Sequence, residues 1–229
     1  MEESERGWER MRNIWQIIDQ LRGIAGCPWD RRQTPESVQT YLVEEAHEAA
    51  AAVRAKLVKE VAEELGDLLF MVLFLVYLYE EKGDFRLEEV CDLICEKMKR
   101  RHPHVFGDLA VQTTEEVIDN WEKIKAGEKA AAGKAAMGVP ASLPALMRGY
   151  RMLARLASDR QSHWNDLNAQ TEEFVHKCQA IQQHLSDDRA VPSEAFGELI
   201  LNLVNLARLK GYQAEICLHQ VLGRLEAVK

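Results

Sequence analysis

Two neighbouring stretches decide the fold: TPESVQTYLVEEAHEAAAAV, residues 34–53, and EVAEELGDLLFMVLFLVYLY, residues 60–79. Neither alternates apolar and polar residues as a half-buried strand would, and both are dominated by helix formers. Thr34 followed by Pro35 makes a helix start, with the threonine as cap and proline at the first position. Gly83-Asp84 ends the second stretch, and Pro103 stops the helix after it at His102. The same periodicity extends outward in both directions. It predicts helices at roughly 5–24, 36–56, 58–82, 86–101 and 114–126, then at about 143–158, 168–185, 193–210 and 213–227. Strand signals are nearly absent, so the expected class is all-α, built of helical bundles.

The acids on these two helices are placed unusually. Glu44, Glu48 and Glu45 fall at about 0°, 40° and 100° on a helical wheel. The apolar stripe Val38, Leu42, Ala49 and Val53 lies at about 120–180° on the same wheel, so the acids flank it. On the next helix Glu60, Glu64 and Asp67 lie within about 60° of one another, and Met71 and Leu75 continue their line. Bare carboxylates beside a core suffer desolvation and mutual repulsion. A hard divalent cation relieves both, and Mg²⁺ takes carboxylate oxygens readily. A solvated acidic surface is the plain alternative, but the alignment with the apolar stripes favours the metal. Lys97 and Arg101, four residues apart on a later helix, are either a phosphate clamp or cations complementing a helix C-terminus.

Composition narrows the classes. The chain has 229 residues, with 47% hydrophobic and 29% charged side chains, the balance of a soluble globular protein. The net charge of −8 argues against a broad nucleic-acid surface. Residues 1–125 hold 17 basic and 26 acidic side chains, so 17 − 26 leaves −9 there, while the remainder nets +1. The longest apolar run, Leu68 to Tyr79, is 12 residues, short of the roughly 20 a membrane span needs. Five cysteines, with no C-x-x-C pair, indicate neither a disulfide framework nor a zinc ribbon. Cys91 and Cys95, one turn apart, read as small core residues. The acidic N-terminus lacks a signal-peptide pattern, and a cytoplasmic protein is expected.

The ordered motifs Gly26-Cys27-Pro28-Trp29-Asp30, Glu44-Glu45-Ala46-His47-Glu48, Glu64-Leu65-Gly66-Asp67-Leu68-Leu69-Phe70 and Arg100-Arg101-His102-Pro103-His104-Val105-Phe106 resemble the MazG family of nucleoside triphosphate pyrophosphohydrolases. Ser142-Leu143-Pro144-Ala145-Leu146 fits the same pattern, so the resemblance spans nearly the whole chain. It implies Mg²⁺-dependent hydrolysis of NTPs or dNTPs between the α- and β-phosphates, with Mn²⁺ as a substitute metal. Whether canonical, damaged or alarmone nucleotides are the target is left open. It implies Glu45, Glu48, Glu64 and Asp67 as metal ligands, with Glu44 assisting catalysis. Lys97, Arg101, Trp121 and Lys125 match substrate-contacting positions. In some members a lysine stands one turn before the Glu of E-x-x-D. Here Glu60 stands there with Lys59 beside it, a departure that puts that phosphate contact in doubt. No Gly-rich phosphate loop is present, so metal and side chains must hold the phosphates.

The resemblance also implies a tight homodimer, in keeping with a helix at 68–79 that is apolar nearly all round. Two other readings compete. One is a non-enzymatic helical interaction module. The other is a di-iron bundle, since Glu44-x-x-His47 and Glu173-x-x-His176 share the Glu-x-x-His form. On the wheel His47 lies roughly opposite the apolar stripe, which disfavours iron.

The halves resemble each other. Gly66-Asp67-Leu68-Leu69 in the first corresponds to Gly197-Glu198-Leu199-Ile200 in the second. The expected organisation is a MazG-like catalytic domain at 1–125, a linker at 126–140 and a degenerate, non-catalytic copy at 141–229. In that copy Ala195 and Glu198 stand for the E-x-x-D pair. The E-E-x-x-E counterpart is Glu172, Glu173 and His176 with a gap after Trp164, or His176, Lys177 and Ala180 without one. The basic pair becomes Arg224 and Val228.

Overall fold

The computed structural model describes residues 2–131, 138–159 and 161–226. Ten α-helices and two 3₁₀ turns are present among them, and no strand. The helices are α1 (Glu2–Arg22), α2 (Pro35–Ala55), α3 (Val58–Lys82), α4 (Leu87–Arg101), α5 (Pro103–Phe106), α6 (Thr114–Ala131), α7 (Ala145–Leu156), α8 (Leu167–Ser186), α9 (Ser193–Leu209) and α10 (Ala214–Glu226). The chain divides into two compact units, Met1–Trp121 and Glu122–Lys229. No helix among the described residues is long and apolar enough to cross a membrane.

In the first unit, α2 and α3 form a close helical hairpin, α1 packs on α3, and α4 follows against α3. Its start is set locally: the Thr34 hydroxyl accepts from Ser37 N–H at 3.3 Å, the Ser37 hydroxyl accepts from Thr34 N–H at 2.9 Å, and Pro35 occupies the first turn. The turn between the two helices puts Lys56 in the left-handed region, at φ 60°. Gly83 closes α3 at φ 74° and Gly211 follows α9 at φ 77°, a conformation that favours glycine at both places. The core gathers Ile18 from α1, Val38 from α2, and Leu73, Phe74 and Leu78 from α3.

The expected stripe on α2 is corrected at one position. Val53 is 58% exposed and Ala52 is buried in its place. The contact line on α2 is Val38, Leu42, Glu45, Ala49 and Ala52, in steps of about four and three residues, the spacing at which one helix packs along another. Cys91 and Cys95, expected in the core, are exposed on α4 along with Leu93 and Ile94. Among the described residues, α3 and α5 supply most of the packing on α4.

The predicted helix end at 126 moves to Ala131, because helix formers continue through the start of the expected linker. Residues 132–137 of that linker lie outside the described residues. The second unit repeats the element order of the first: a helix, a 3₁₀ turn, a close hairpin α8–α9 and a final helix α10. Its core is Leu153, Ile181 and Val204, joined by the buried amides Gln170, Asn202 and Asn205.

Candidate functional site

Two packing lines meet in the α2–α3 hairpin, and an acid interrupts each. On α2, half-buried Glu45 stands between Leu42 and Ala49. On α3 the line runs Val61, Glu64, Leu68, Met71, Leu75 and Leu78, and Glu64 is half-buried within it. Glu48 and Asp67, each one turn further along its helix, are exposed at the edge. A carboxylate oxygen from each of Glu45, Glu48 and Glu64 lies within 4.8 Å of the other two.

This convergence raises the cost of charge. The Glu45 carboxyl is pushed above its ordinary range by partial burial first, then by the charges of Asp67, Glu48 and Glu44. Burial likewise raises Glu64, followed by repulsion from Glu48, Glu45, Asp67 and Glu63. Asp67 and Glu44 therefore act on the trio through their fields while standing outside it. The donor set is carboxylate oxygen only, which suits a hard divalent cation rather than iron or zinc bound through imidazole or thiolate. His47 is exposed and is not part of the group.

The expected phosphate contacts fall on α4 and α6. Lys97 and Arg101 are half-buried near the C-terminal end of α4. The Arg101 guanidinium lies over the Trp121 ring, 5.4 Å from its centroid, so two of the four expected substrate residues touch. Lys125 is four residues along α6 from Trp121 and pairs with Glu122 at 3.5 Å.

Arg22 carries no motif in the sequence. Its Nε and Nη2 donate to Glu81 at 2.7 to 3.1 Å, and its Nη1 donates to the Asp30 carbonyl at 2.6 Å and to that of Gln33 at 3.3 Å. It thereby ties the Gly26–Asp30 loop to the end of α3. The signal was weak: one arginine among many, at the end of a helix. Tyr41 carries none either, although it stands three and four residues before Glu44 and Glu45. Its ring lies 5.9 Å from that of Trp29.

The second unit sets a lysine among its acids. The Lys177 ammonium pairs with Glu173 at 2.7 Å and Glu198 at 3.8 Å. Behind them the Gln170 carbonyl oxygen accepts from Asn202 at 3.1 Å and Asn205 at 2.8 Å. Arg208 donates to Asn205 at 2.9 Å and to the Trp164 carbonyl at 2.7 Å. Val228, the other half of the expected basic-pair counterpart, lies outside the described residues.

Residues 33–106, which carry all five acids with Lys97 and Arg101, match the MazG nucleotide pyrophosphohydrolase domain. The nucleoside triphosphate pyrophosphohydrolase of Escherichia coli (strain K12) is 35% identical over 216 residues, covering 92% of this chain and 82% of that protein. The nucleoside triphosphate pyrophosphohydrolase/pyrophosphatase MazG of Thermotoga maritima is 35% identical over 204 residues, 89% of this chain and 78% of that protein. A nucleoside triphosphate pyrophosphohydrolase of Mycobacterium tuberculosis is 36% identical over 155 residues, 67% of this chain and 46% of that protein.

Proposed function

The chain belongs to the MazG nucleotide pyrophosphohydrolase family, and from that premise we propose that its first unit is the seat of a Mg²⁺-dependent hydrolysis of nucleoside triphosphates to monophosphate and pyrophosphate. The hydrolase class follows from kinship along most of the chain. The observation that carries the site is the convergence of Glu45, Glu48 and Glu64 within 4.8 Å, with Glu45 and Glu64 half-buried in the packing lines of their helices.

Glu45, Glu48, Glu64 and Asp67 would hold the metal, with Mn²⁺ able to replace Mg²⁺. When bound, the ion supplies positive charge against the triphosphate and the pyrophosphate it releases. Glu44, exposed on the same helix as Glu45 and Glu48, would be the candidate to orient the attacking water and take its proton. Lys97 and Arg101 bind phosphate oxygens, with Trp121 holding the Arg101 guanidinium in place; Lys125, the fourth expected contact, follows one turn along α6. Arg101 offers a planar fork of donors suited to phosphate. Canonical, damaged and alarmone nucleotides are the candidate substrates.

Two further assignments belong to this reading. The exposed apolar side chains Leu93 and Ile94 on α4 and Val72 on α3 fit the surface of a homodimer. Light scattering that finds an active monomer would remove it. The second unit is a catalytically silent copy, because Lys177 already sets a fixed cation between its remaining acids.

The test is pyrophosphate release from a panel of NTPs and dNTPs, with and without Mg²⁺. Metal-dependent release of stoichiometric monophosphate and pyrophosphate is expected. Release of orthophosphate instead, or turnover indifferent to chelator, would defeat the assignment.

A further inference from the structure

Trp29 and Tyr41 form a pair with no part in the acid cluster. Their rings are tilted by 59°, their centroids are 5.9 Å apart, and they remain 48% and 37% exposed. Exposed aromatic rings cost burial energy that a folded chain would otherwise recover. Their location gives them a use. Tyr41 sits at about 60° on the α2 wheel, between Glu48 and Glu45, and about 6 Å along the axis from Glu45. Its Cα–Cβ bond, like those of the glutamates, tilts toward the helix N-terminus, and its ring meets Trp29 on the loop before the helix.

That loop is fixed. A Cβ at Gly26 would lie 2.2 Å from the Leu21 carbonyl oxygen, so only glycine fits there. The same carbonyl accepts from Cys27 N–H at 2.8 Å, and Arg22 holds the Asp30 carbonyl at 2.6 Å. Trp29 is therefore held between two anchored residues rather than left to swing.

We infer that Trp29 and Tyr41 are a stacking platform for the nucleobase of the triphosphate whose phosphates lie over Glu45, Glu48 and Glu64. The inference rests on the function proposed above and adds the part of the substrate that the acids cannot read. Tyr41 and Glu45 are about one helical turn apart along α2, roughly the reach of one ribose. A base stacked on the rings leaves its α-phosphate, the one attacked, nearest the carboxylates. Stacking is tolerant of base identity because every base has a π-face, so the platform gives broad specificity with a preference for the larger purines.

The experiment measures kcat and KM of the full chain for ATP and CTP, and the inhibition constant of inorganic tripolyphosphate, which has no base. Trp29→Ala and Tyr41→Ala are expected to raise KM for ATP by roughly 5- to 100-fold, more than for CTP and far more than they change kcat. The tripolyphosphate constant stays where it was, and Trp29→Phe and Tyr41→Phe restore most of the affinity. An unchanged KM would overturn the platform. So would an equal weakening of ATP and tripolyphosphate, which would mean that the pair only braces α2. If the unmodified chain hydrolyses no nucleotide at all, the proposed function falls and the platform with it, a failure distinguished by the wild-type turnover alone.

Discussion

Glu45 is an acid in a position built for an apolar side chain, and its surroundings make it hold a proton more tightly than a free carboxylate does. Burial and the charges of Asp67, Glu48 and Glu44 act in the same direction. Glu64 shares that condition. A raised carboxyl binds more protons in the folded state than in the unfolded one, so the metal-free fold loses stability as pH rises through the raised value. A divalent cation competes with those protons. The increase in Tm on adding Mg²⁺ is therefore expected to be larger at pH 8 than at pH 5. Equal or reversed shifts in differential scanning fluorimetry would remove the link between cluster and metal. Glu45→Gln and Asp67→Asn should abolish hydrolysis while leaving helical circular dichroism intact, since even indirect supports of a metal cost about 10- to 100-fold. Near-normal turnover of both variants at saturating Mg²⁺ would clear these residues. At this scale much of the site was legible, because E-E-x-x-E and E-x-x-D at helical spacing are a pattern in the chain itself. Arg22 and Tyr41 were not legible. Their roles come from partners 59 and 12 positions away in sequence, Glu81 and Trp29, which only folding brings near.

Element ends were the easiest part to read, because they depend on local chemistry. Thr34 and Pro35 start α2, Gly83 closes α3, and Pro103 separates α4 from α5. What an element packs against was harder. Ala52 is buried and Val53 exposed because α3 approaches α2 along a line the wheel placed slightly off. Cys91 and Cys95 are exposed because the apolar face of α4 is not covered by the elements found packed on it. That helix carries Lys97 and Arg101 at its C-terminal end, where cations would suit the helix dipole even without a ligand. The two explanations part in kinetics. If the pair binds phosphate, Lys97→Ala and Arg101→Ala each lower kcat/KM by roughly 10- to 100-fold, and Arg101→Lys recovers little, since a lysine lacks the planar fork that also lies over Trp121. If the pair only caps the helix, kcat/KM holds and Tm drops slightly.

The molecule as a whole carries the same helical plan twice, and the chemistry should be in one copy. Both units have a 3₁₀ turn before a close hairpin, and both hairpins end at a glycine of positive φ. The interiors have diverged. Where the first hairpin brings together three carboxylates, the second has Lys177 between Glu173 and Glu198. A lysine ammonium supplies one positive charge without open positions for phosphate, and it leaves too few free oxygens to draw Mg²⁺ from its hydration shell. Behind it, Gln170, Asn202 and Asn205 form a buried polar group, while the core of the first unit is Val38, Leu73 and Phe74. Such a network is costly if broken, so its upkeep fits a structural role for the second copy. The decisive comparison pairs two double variants. Glu45→Gln with Glu48→Gln should eliminate pyrophosphate release. Glu173→Gln with Glu198→Gln should retain most of it, while the loss of both partners of Lys177 lowers the Tm. If the second pair kills turnover and the first does not, the active site belongs to the C-terminal unit. If both kill it with the fold intact by circular dichroism, the second copy is part of the catalytic machinery rather than a silent one.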